Sequence, residues 1–416
     1  MTSTSDDAKL VLPIWLNNQF IEEHLQQYFQ DDHLKVLNFV AKPATEKVEN
    51  FAGILYRLTI KLNKAPGHHQ SADLSIIAKL TLRGNFAFDF LSSLNAIEKE
   101  FHFYSHIAPK MKKCANELMG PSRFLPEVYG VCEINGVLLL EDLAAEDYCT
   151  ISVQNGYDLD AAKVALQKVA AFHAINALIV QREAEIFESY GGGIINQHVD
   201  GFLPHFKAQV SFVKEVVSNW PDFAKYLPKL DRLLSKFDEK ARHAFQPNPT
   251  HFNTLVHGDM WSPNLMVRRS EDKQTIDNIV FIDFQFSCFT SPAIDLHYFL
   301  SNTLKDSLRL DHTDELIEFY HTSLVKHLEN LNYSKRSPTL QEFKQQFAEK
   351  GFYGFMTTCL TVLLQTHDYT ESVDFETIFS VNEKALQFKR KLHGTPKAHA
   401  ILRKYLPYFD ELGVLD

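Results

Sequence analysis

The spacing of apolar residues changes along the chain, and each change predicts a different kind of element. Within residues 1–30, Trp15, Phe20, Ile21, Leu25 and Phe29 recur at the spacing of an amphipathic helix. From Leu34 to about Leu82 the pattern turns to alternation, so residues 51–62 and 74–80 read as strands. The polar stretch 63–73, with Pro66-Gly67-His68-His69, reads as the hairpin between them. A helix is expected through 96–104 and should stop at Pro109, because proline lacks the amide hydrogen that a helix interior uses. A further strand pair ends in Gly136-Val137-Leu138-Leu139-Leu140-Glu141-Asp142-Leu143.

Beyond that point the periodicity is mainly helical. Residues 160–180 form the clearest helix, with Ala162, Leu166, Val169 and His173 on one stripe. Strand signals return only around residues 256–284, and helices are expected from Pro292 to the end. The reading is an α+β chain of two lobes: a small β-rich one over 1–142 and a large α-helical one over 143–416, with a short link near 142–148. Gly191-Gly192-Gly193 has no strand before it, so a turn explains it better than a phosphate cradle. No internal repeat or low-complexity tract interrupts this plan.

Composition narrows the partners. With 416 residues, 45% hydrophobic and 23% charged, the chain has the makeup of a large globular protein with room for two packed lobes. A formal charge of −10 argues against nucleic acid, whose phosphates need a basic surface. Its 33 Phe imply a ring-rich interior and leave open an aromatic-lined pocket for an apolar ligand. The cysteines (Cys114, Cys132, Cys149, Cys288 and Cys359) show no metal or disulfide spacing, so reduced, mostly buried thiols are expected. The polar, acidic start Met1 to Asp7 is unlike a signal peptide, and no unbroken apolar run reaches the roughly 20 residues of a membrane span. A cytoplasmic protein with no membrane and no obligate protein partner is the expectation.

The chemistry is concentrated between His257 and Asp295. His257-Gly258-Asp259-Met260-Trp261-Ser262-Pro263-Asn264 is followed by the apolar strand Ile279-Val280-Phe281-Ile282 and then Asp283-Phe284-Gln285. One carboxylate, an Asn five positions on, and a second carboxylate at the end of a strand are what magnesium-dependent phosphoryl transfer requires. Asp259 is placed to accept a hydroxyl proton, while Asn264 and Asp283 are placed to hold metal against nucleotide phosphates. Singly, Asp259 could be an Asx turn or helix cap and Asp283 a strand-ending turn residue; together the three favour chemistry. His257 reads as a neutral brace between backbone groups, His173 as a satisfied core histidine, and Asp295 as an acceptor for catalytic-loop amides. Trp261 could line an acceptor pocket or simply pack.

Upstream, Lys79 sits in an otherwise apolar strand, where its charge needs a partner. Glu100 on the next helix is the natural one, with Glu98 as a competitor; such a pair aims the ammonium at the α- and β-phosphates. A snorkelling Lys and a solvated Glu are the plainer alternative.

Taken together, these residues resemble the aminoglycoside phosphotransferase and choline kinase superfamily, and more closely the insect ecdysteroid kinase-like family. The resemblance rests on residues 256–264 and 281–285, on Glu100-Phe101-His102-Phe103-Tyr104 with Pro109, on Leu140-Glu141-Asp142-Leu143, and on Phe172-His173-Ala174. It spans roughly residues 35–380, and the Trp after His-Gly-Asp and the Asp-Phe-Gln triplet are its more specific parts. It implies a protein-kinase-like fold, ATP and Mg as cosubstrate and cofactor, and a small hydroxylated acceptor, of which an ecdysteroid is the name-giving example. It further implies Asp259 as base and Asn264 and Asp283 as metal ligands. Lys79 and Glu100 would orient the phosphates, Asn50 would belong to the nucleotide site, and Glu141, Asp142 and Leu143 would form the adenine hinge.

Two departures shape the expectation. Gly258 stands where protein kinases carry Arg, and only residues 284–294 separate Asp283 from Asp295, too short for an activation segment that presents a peptide. In the phosphate loop, Glu46 and Val48 stand where the family pattern has glycines that let backbone amides approach phosphate, with Lys47 between them. The leading expectation is an ATP-dependent kinase of a small, largely apolar alcohol. A weakly active pseudokinase and a choline- or aminoglycoside-type kinase are the alternatives.

Overall fold

The computed structural model describes residues 12–44, 53–63, 72–81, 83–118, 123–196, 203–272, 275–365 and 374–416. The glycine-poor loop with Glu46, Lys47, Val48 and Asn50, and the hairpin tip with Pro66-Gly67, lie outside the described residues. By its contacts the chain forms two units: Met1–Arg83 with Pro126–Glu146, and Gly84–Leu125 with Asp147–Asp416. A β-rich unit and a mainly helical one make up the α+β, kinase-like plan expected from the alternation and periodicity.

The first unit is one five-stranded antiparallel sheet. Its strands are β1 (Lys35–Pro43), β2 (Ile54–Asn63), β3 (Ala72–Leu80), β4 (Val128–Cys132) and β5 (Val137–Glu141), in the order β1-β2-β3-β5-β4. Along β2, Tyr56, Leu58, Ile60 and Leu62 alternate inward and carry one core face. Helix α1 (Asn18–Phe29), capped by the Asn17 side chain on the Phe20 amide, turns Ile21 and Leu25 into the same cluster. Beside the sheet, Asp142 is buried and accepts from Arg57 Nε at 2.6 Å, Arg57 Nη2 at 3.1 Å and Ser75 Oγ at 2.6 Å.

The second unit opens with α2 (Phe86–Ser93), α3 (Ala96–His102), a π turn over Phe103–Ile107, and α4 (Ala108–Leu118). Pro109 therefore does not end the helix. The backbone has already opened into a π turn just before it, so the missing amide falls where the α ladder is interrupted anyway. Where order along the chain suggests a break at residue 142, contacts group residues 84–125 with the helical unit. Phe90 of α2, for example, lies 5.2 Å from Phe375 and 4.8 Å from Phe379.

The spine of this unit is α5 (Leu159–Arg182), capped by Asp158 and buried almost without interruption from Val169 to Ile179. At 24 residues, with an 18-residue stretch of mean hydropathy 1.3, it is long and apolar enough to cross a membrane, which counting apolar runs misses. Small polar residues such as His173 and Asn176 break the run, and 72% of the apolar stretch is buried inside the unit. Around α5 lie α6 (Leu203–Val217), α7 (Leu227–Ser235), α8 (Phe237–Phe245), α9 (Ala293–Asn302) and α10 (Thr313–Asn330). They are followed by α11 (Leu340–Glu349), α12 (Gly351–Thr357), a second π turn (Thr358–Val362), α13 (Phe375–Phe379), α14 (Glu383–His393) and α15 (Pro396–Glu411). Two small β elements complete the unit: the sheet β6 (Tyr148–Thr150), β8 (Leu265–Arg269), β9 (Ile276–Phe281), and the ribbon β7 (Thr254–Val256) with β10 (Cys288–Thr290). No cysteine among the described residues is bridged; Cys114, Cys288 and Cys359 are buried, Cys132 is half-buried and Cys149 exposed.

Candidate active site

Two antiparallel ribbons bring the sequence motif together. The pairing of Leu265 with Phe281 places Asn264, just before β8, beside Ile282 and Asp283, just after β9; the Ile282 amide donates to the Asn264 carbonyl at 3.1 Å. The pairing of Val256 with Cys288 places His257 and Gly258 against the segment 284–287. Both connecting segments, 257–264 and 282–287, are thus held at their two ends by strands, which restricts where Asp259 and Asp283 can go.

Buried polar groups fix the rest of the loop. Asp295, at the first turn of α9 and fully buried, accepts from the His257 amide and the Gly258 amide, both at 2.8 Å, and from His173 Nε2 at 2.9 Å. His173 Nδ1 in turn takes the Tyr320 hydroxyl at 2.7 Å. The His257 ring donates from Nε2 to the Ile282 carbonyl at 2.9 Å and accepts the Asp259 amide on Nδ1 at 3.3 Å. Those partners define a neutral imidazole, and burial holds its pKa below the usual histidine value. His257, His173 and Asp295 therefore brace the loop and satisfy one another.

Gly258 has φ +79°, and a Cβ there would stand 2.1 Å from the Phe286 carbonyl oxygen. The position that carries Arg in protein kinases has no room here for any side chain. The Gly258 carbonyl is held from the other side by the Tyr353 hydroxyl at 3.0 Å. Asp283 also takes a left-handed backbone, φ +68°, which Asp tolerates better than most residues. Next to it Phe284 is fully buried, stacked on Phe103 with centroids 3.7 Å apart and tilted against His257 at 4.7 Å.

Asp259 is only half-buried by surface area, yet protein atoms enclose its carboxylate. Asn264 Nδ2 donates to the Asp259 carbonyl and to Asp259 Oδ2, each at 2.9 Å, and the Tyr298 hydroxyl also bonds the carboxylate. Loss of solvent and then the negative charge of Asp283 push its pKa up to about 7, against the pull of Tyr298 and Asn264. A cation held by Asp283 would cancel the second of these causes. Because both Asn264 bonds use Nδ2, its Oδ1 points away from Asp259. Together with the Asp283 carboxylate it offers hard oxygen donors of the kind magnesium takes. No group of three His, Cys, Asp or Glu that could hold a metal occurs among the described residues.

Asp259, Asn264 and Asp283 are thus brought together. Of the other expected residues, Glu100 lies buried on α3 while the competitor Glu98 is exposed. Lys79 lies on β3 of the first unit, paired across strands with Leu55 and Leu138. Glu141 is buried, its Oε2 accepting the Glu127 amide at 2.9 Å, and Leu143 starts a short 3-10 turn. The carboxylates of Glu141 and Asp142 are thus occupied within their own unit. Gly192 is a turn at φ +75°, and its carbonyl receives the buried Lys99 ammonium at 2.7 Å. Sequence reasoning overlooked Tyr298 and Tyr353, which stack 5.8 Å apart beneath the loop, with Trp261 6.3 Å from Tyr298. Tyr298 left a trace, since it follows Asp295 by one helical turn; Tyr353 left none.

Comparison with known proteins places this geometry in context. The model of the ecdysteroid kinase-like family matches residues 47–333, more than half of the chain. A search of curated proteins found no match. Among solved structures, a Plasmodium vivax ethanolamine kinase is 11% identical, covering 87% of this chain and 83% of its own at a TM-score of 0.40. The GDP complex of an aminoglycoside 2'-phosphotransferase is 12% identical, covering 96% of this chain and 98% of its own at 0.39. An amicoumacin kinase in complex with AMP-PNP, calcium and amicoumacin is 11% identical, covering 88% of each chain at 0.34. Likenesses this remote do not say what this chain acts on.

Proposed function

This chain belongs to the ecdysteroid kinase-like family, and from that premise we propose that it is an ATP-dependent phosphotransferase acting on a hydroxyl of a small, largely apolar molecule such as an ecdysteroid or a xenobiotic alcohol. One observation carries the reading. The Asp259 carboxylate stands at the tip of a loop clamped by two ribbons and by Asp295, oriented by Asn264 at 2.9 Å. In this reading an acceptor hydroxyl donates its proton to Asp259 as its oxygen attacks the terminal phosphorus of ATP, and ADP departs. Asn264 and Asp283 would hold magnesium, which supplies neutralisation of phosphate charge. Lys79 and Glu100 would serve the α- and β-phosphates, while Asn50 and the segment Glu141–Leu143 would serve the nucleotide. The site is small-molecule in kind because the short stretch after Asp283 offers no segment to present a peptide. A cytoplasmic location fits ATP as cosubstrate.

Purified protein with Mg-ATP and a panel of hydroxylated steroids, lipids and xenobiotics, scored by the mass gain of one phosphate, tests the proposal. Asp259→Asn should abolish that gain while sparing nucleotide binding; turnover at the wild-type rate would remove Asp259 from its role. Glu46 and Val48 in the phosphate loop favour one second reading, a weakly active pseudokinase. A melting temperature unmoved by millimolar Mg-ATP would select it.

A further inference from the structure

Away from the phosphate chemistry, the helical unit holds buried polar side chains that find no partner among the described residues. His205 and Gln209 lie one turn apart on α6 and so project from the same face. Each is 1% exposed, and both ring nitrogens of His205 and both amide atoms of Gln209 have no hydrogen-bond partner among the described residues. His393 on α14 lies nearby: its Nδ1 donates to the Lys389 carbonyl at 2.8 Å, and its ring stands 5.6 Å from Phe212 of α6. Buried polar atoms are normally bonded, and leaving several unbonded together costs stability that something else must offset.

Among the described residues, aromatic rings pack against His205. The His205 ring lies 5.2 Å from Phe379, which lies 4.5 Å from Phe375 and 4.8 Å from Phe90. Burial and then the nearby Lys389 keep His205 neutral, and the Lys389 side chain is itself engaged by the Ser380 carbonyl. Glu215, which bears on His393, is exposed and bonded to Arg390 at 3.1 Å. The region connects to the phosphate site through packing. The π turn Thr358–Val362 touches both α6 and α9, and its Thr361 bonds Tyr298, the tyrosine on Asp259. Such π turns recur at functional sites.

We propose that His205 and Gln209 are the polar recognition pair of a binding site for an uncharged, hydroxyl-bearing and otherwise apolar small molecule, walled by Phe90, Phe375 and Phe379. A neutral imidazole and a carboxamide offer donors and acceptors without charge, which match hydroxyl and carbonyl groups on an apolar frame. Among the described residues no carboxylate bonds that pair, as a quaternary ammonium or an aminoglycoside would require. That the bound molecule is also the phosphoryl acceptor rests on the kinase reading; the site itself does not.

Binding of ecdysone and of choline to the full chain, measured by calorimetry, with and without Mg-ATP, tests this. Wild type should bind ecdysone and not choline. The near-isosteric double variant His205→Leu/Gln209→Met should bind ecdysone at least tenfold more weakly while melting, ligand-free, no lower than wild type, since it removes orphaned groups. Gln209→Met alone, the milder change, serves if the double variant does not fold. Ecdysone affinity equal to wild type in the variants overturns the proposal, as does no binding of ecdysone to wild type. A variant that melts lower with unchanged affinity also overturns it, since internal water alone then occupied the orphans. Asp259→Asn separates the two readings: it should keep ecdysone binding and lose phosphorylation. If no phosphorylation occurs even in wild type while binding still depends on His205 and Gln209, the kinase reading falls and the site stands.

Discussion

Replacing Gly258 by alanine puts the loop geometry to its sharpest test. The perturbation has two parts. A left-handed backbone at φ +79° costs an L-residue roughly 1–2 kcal/mol. The new Cβ would also stand 2.1 Å from the Phe286 carbonyl oxygen and 2.9 Å from its carbon, so backbone rather than a flexible side chain must yield. Relieving that contact strains a loop tied by Asp295 to the His257 and Gly258 amides and by Tyr353 to the Gly258 carbonyl, adding roughly 1–3 kcal/mol in line with overpacked sites. The total is about 3 kcal/mol, which at about 2 °C per kcal/mol for large domains lowers the melting temperature by about 6 °C. Gly413 supplies the control. It has nearly the same φ, +76°, but nothing within 4 Å of its Cβ position, so Gly413→Ala should show the backbone part alone. Differential scanning calorimetry of the two variants against wild type isolates the contact. The reasoning also requires Gly258→Ala to lose phosphoryl transfer, because the strain falls one residue from Asp259. If both variants melt together, the approach of Gly258 to Phe286 does not hold the loop, and the account is refuted.

Asp295→Asn keeps the shape but turns one acceptor oxygen into a donor, so at least the Gly258 amide bond fails and two donors face each other. A loss of about 1–3 kcal/mol is expected, read as a lowered melting temperature, and no measurable loss would show that Asp295 does not brace the loop. Burial lowers the Lys168 pKa to about 8, so between about pH 8 and the usual lysine value the unfolded chain binds a proton that the folded chain does not. Stability from this group therefore rises as pH climbs through that window and is constant below it, where both states are protonated. Lys168→Met should flatten the difference in melting temperature between pH 8 and pH 10; an identical pH slope in both proteins would contradict it. Alkylation at pH 8 followed by peptide mass spectrometry should label exposed Cys149 and spare Cys288, whose thiol burial pushes up to about 12, until the protein is unfolded. Rapid labelling of Cys288 in the native state would be inconsistent with that burial.

The chemical core of this protein was legible in the chain because its parts are local. Asp259 and Asn264 share one loop, Asp283 ends the strand that follows, and the alternation of apolar residues shows where that strand stops. His257, His173 and Asp295 could likewise be assigned bracing roles, since neutral imidazoles and a buried carboxylate beside a loop have few other uses. Pro109 misled, because a π turn absorbs a proline in a way that no local pattern announces, and α5 hid its apolar length behind scattered small polar residues. What only the tertiary structure decided lies between residues far apart in sequence. The closeness of Phe286 to Gly258 turns a missing Arg into a steric requirement. Tyr353 reaches the loop from a helix nearly a hundred positions away. That the polar atoms of His205 and Gln209 find no partner among the described residues becomes visible only once the helices are packed. Spacing along the chain records which groups can act together; whether a buried donor finds an acceptor, or a Cβ finds space, depends on surfaces that meet only when the helices pack.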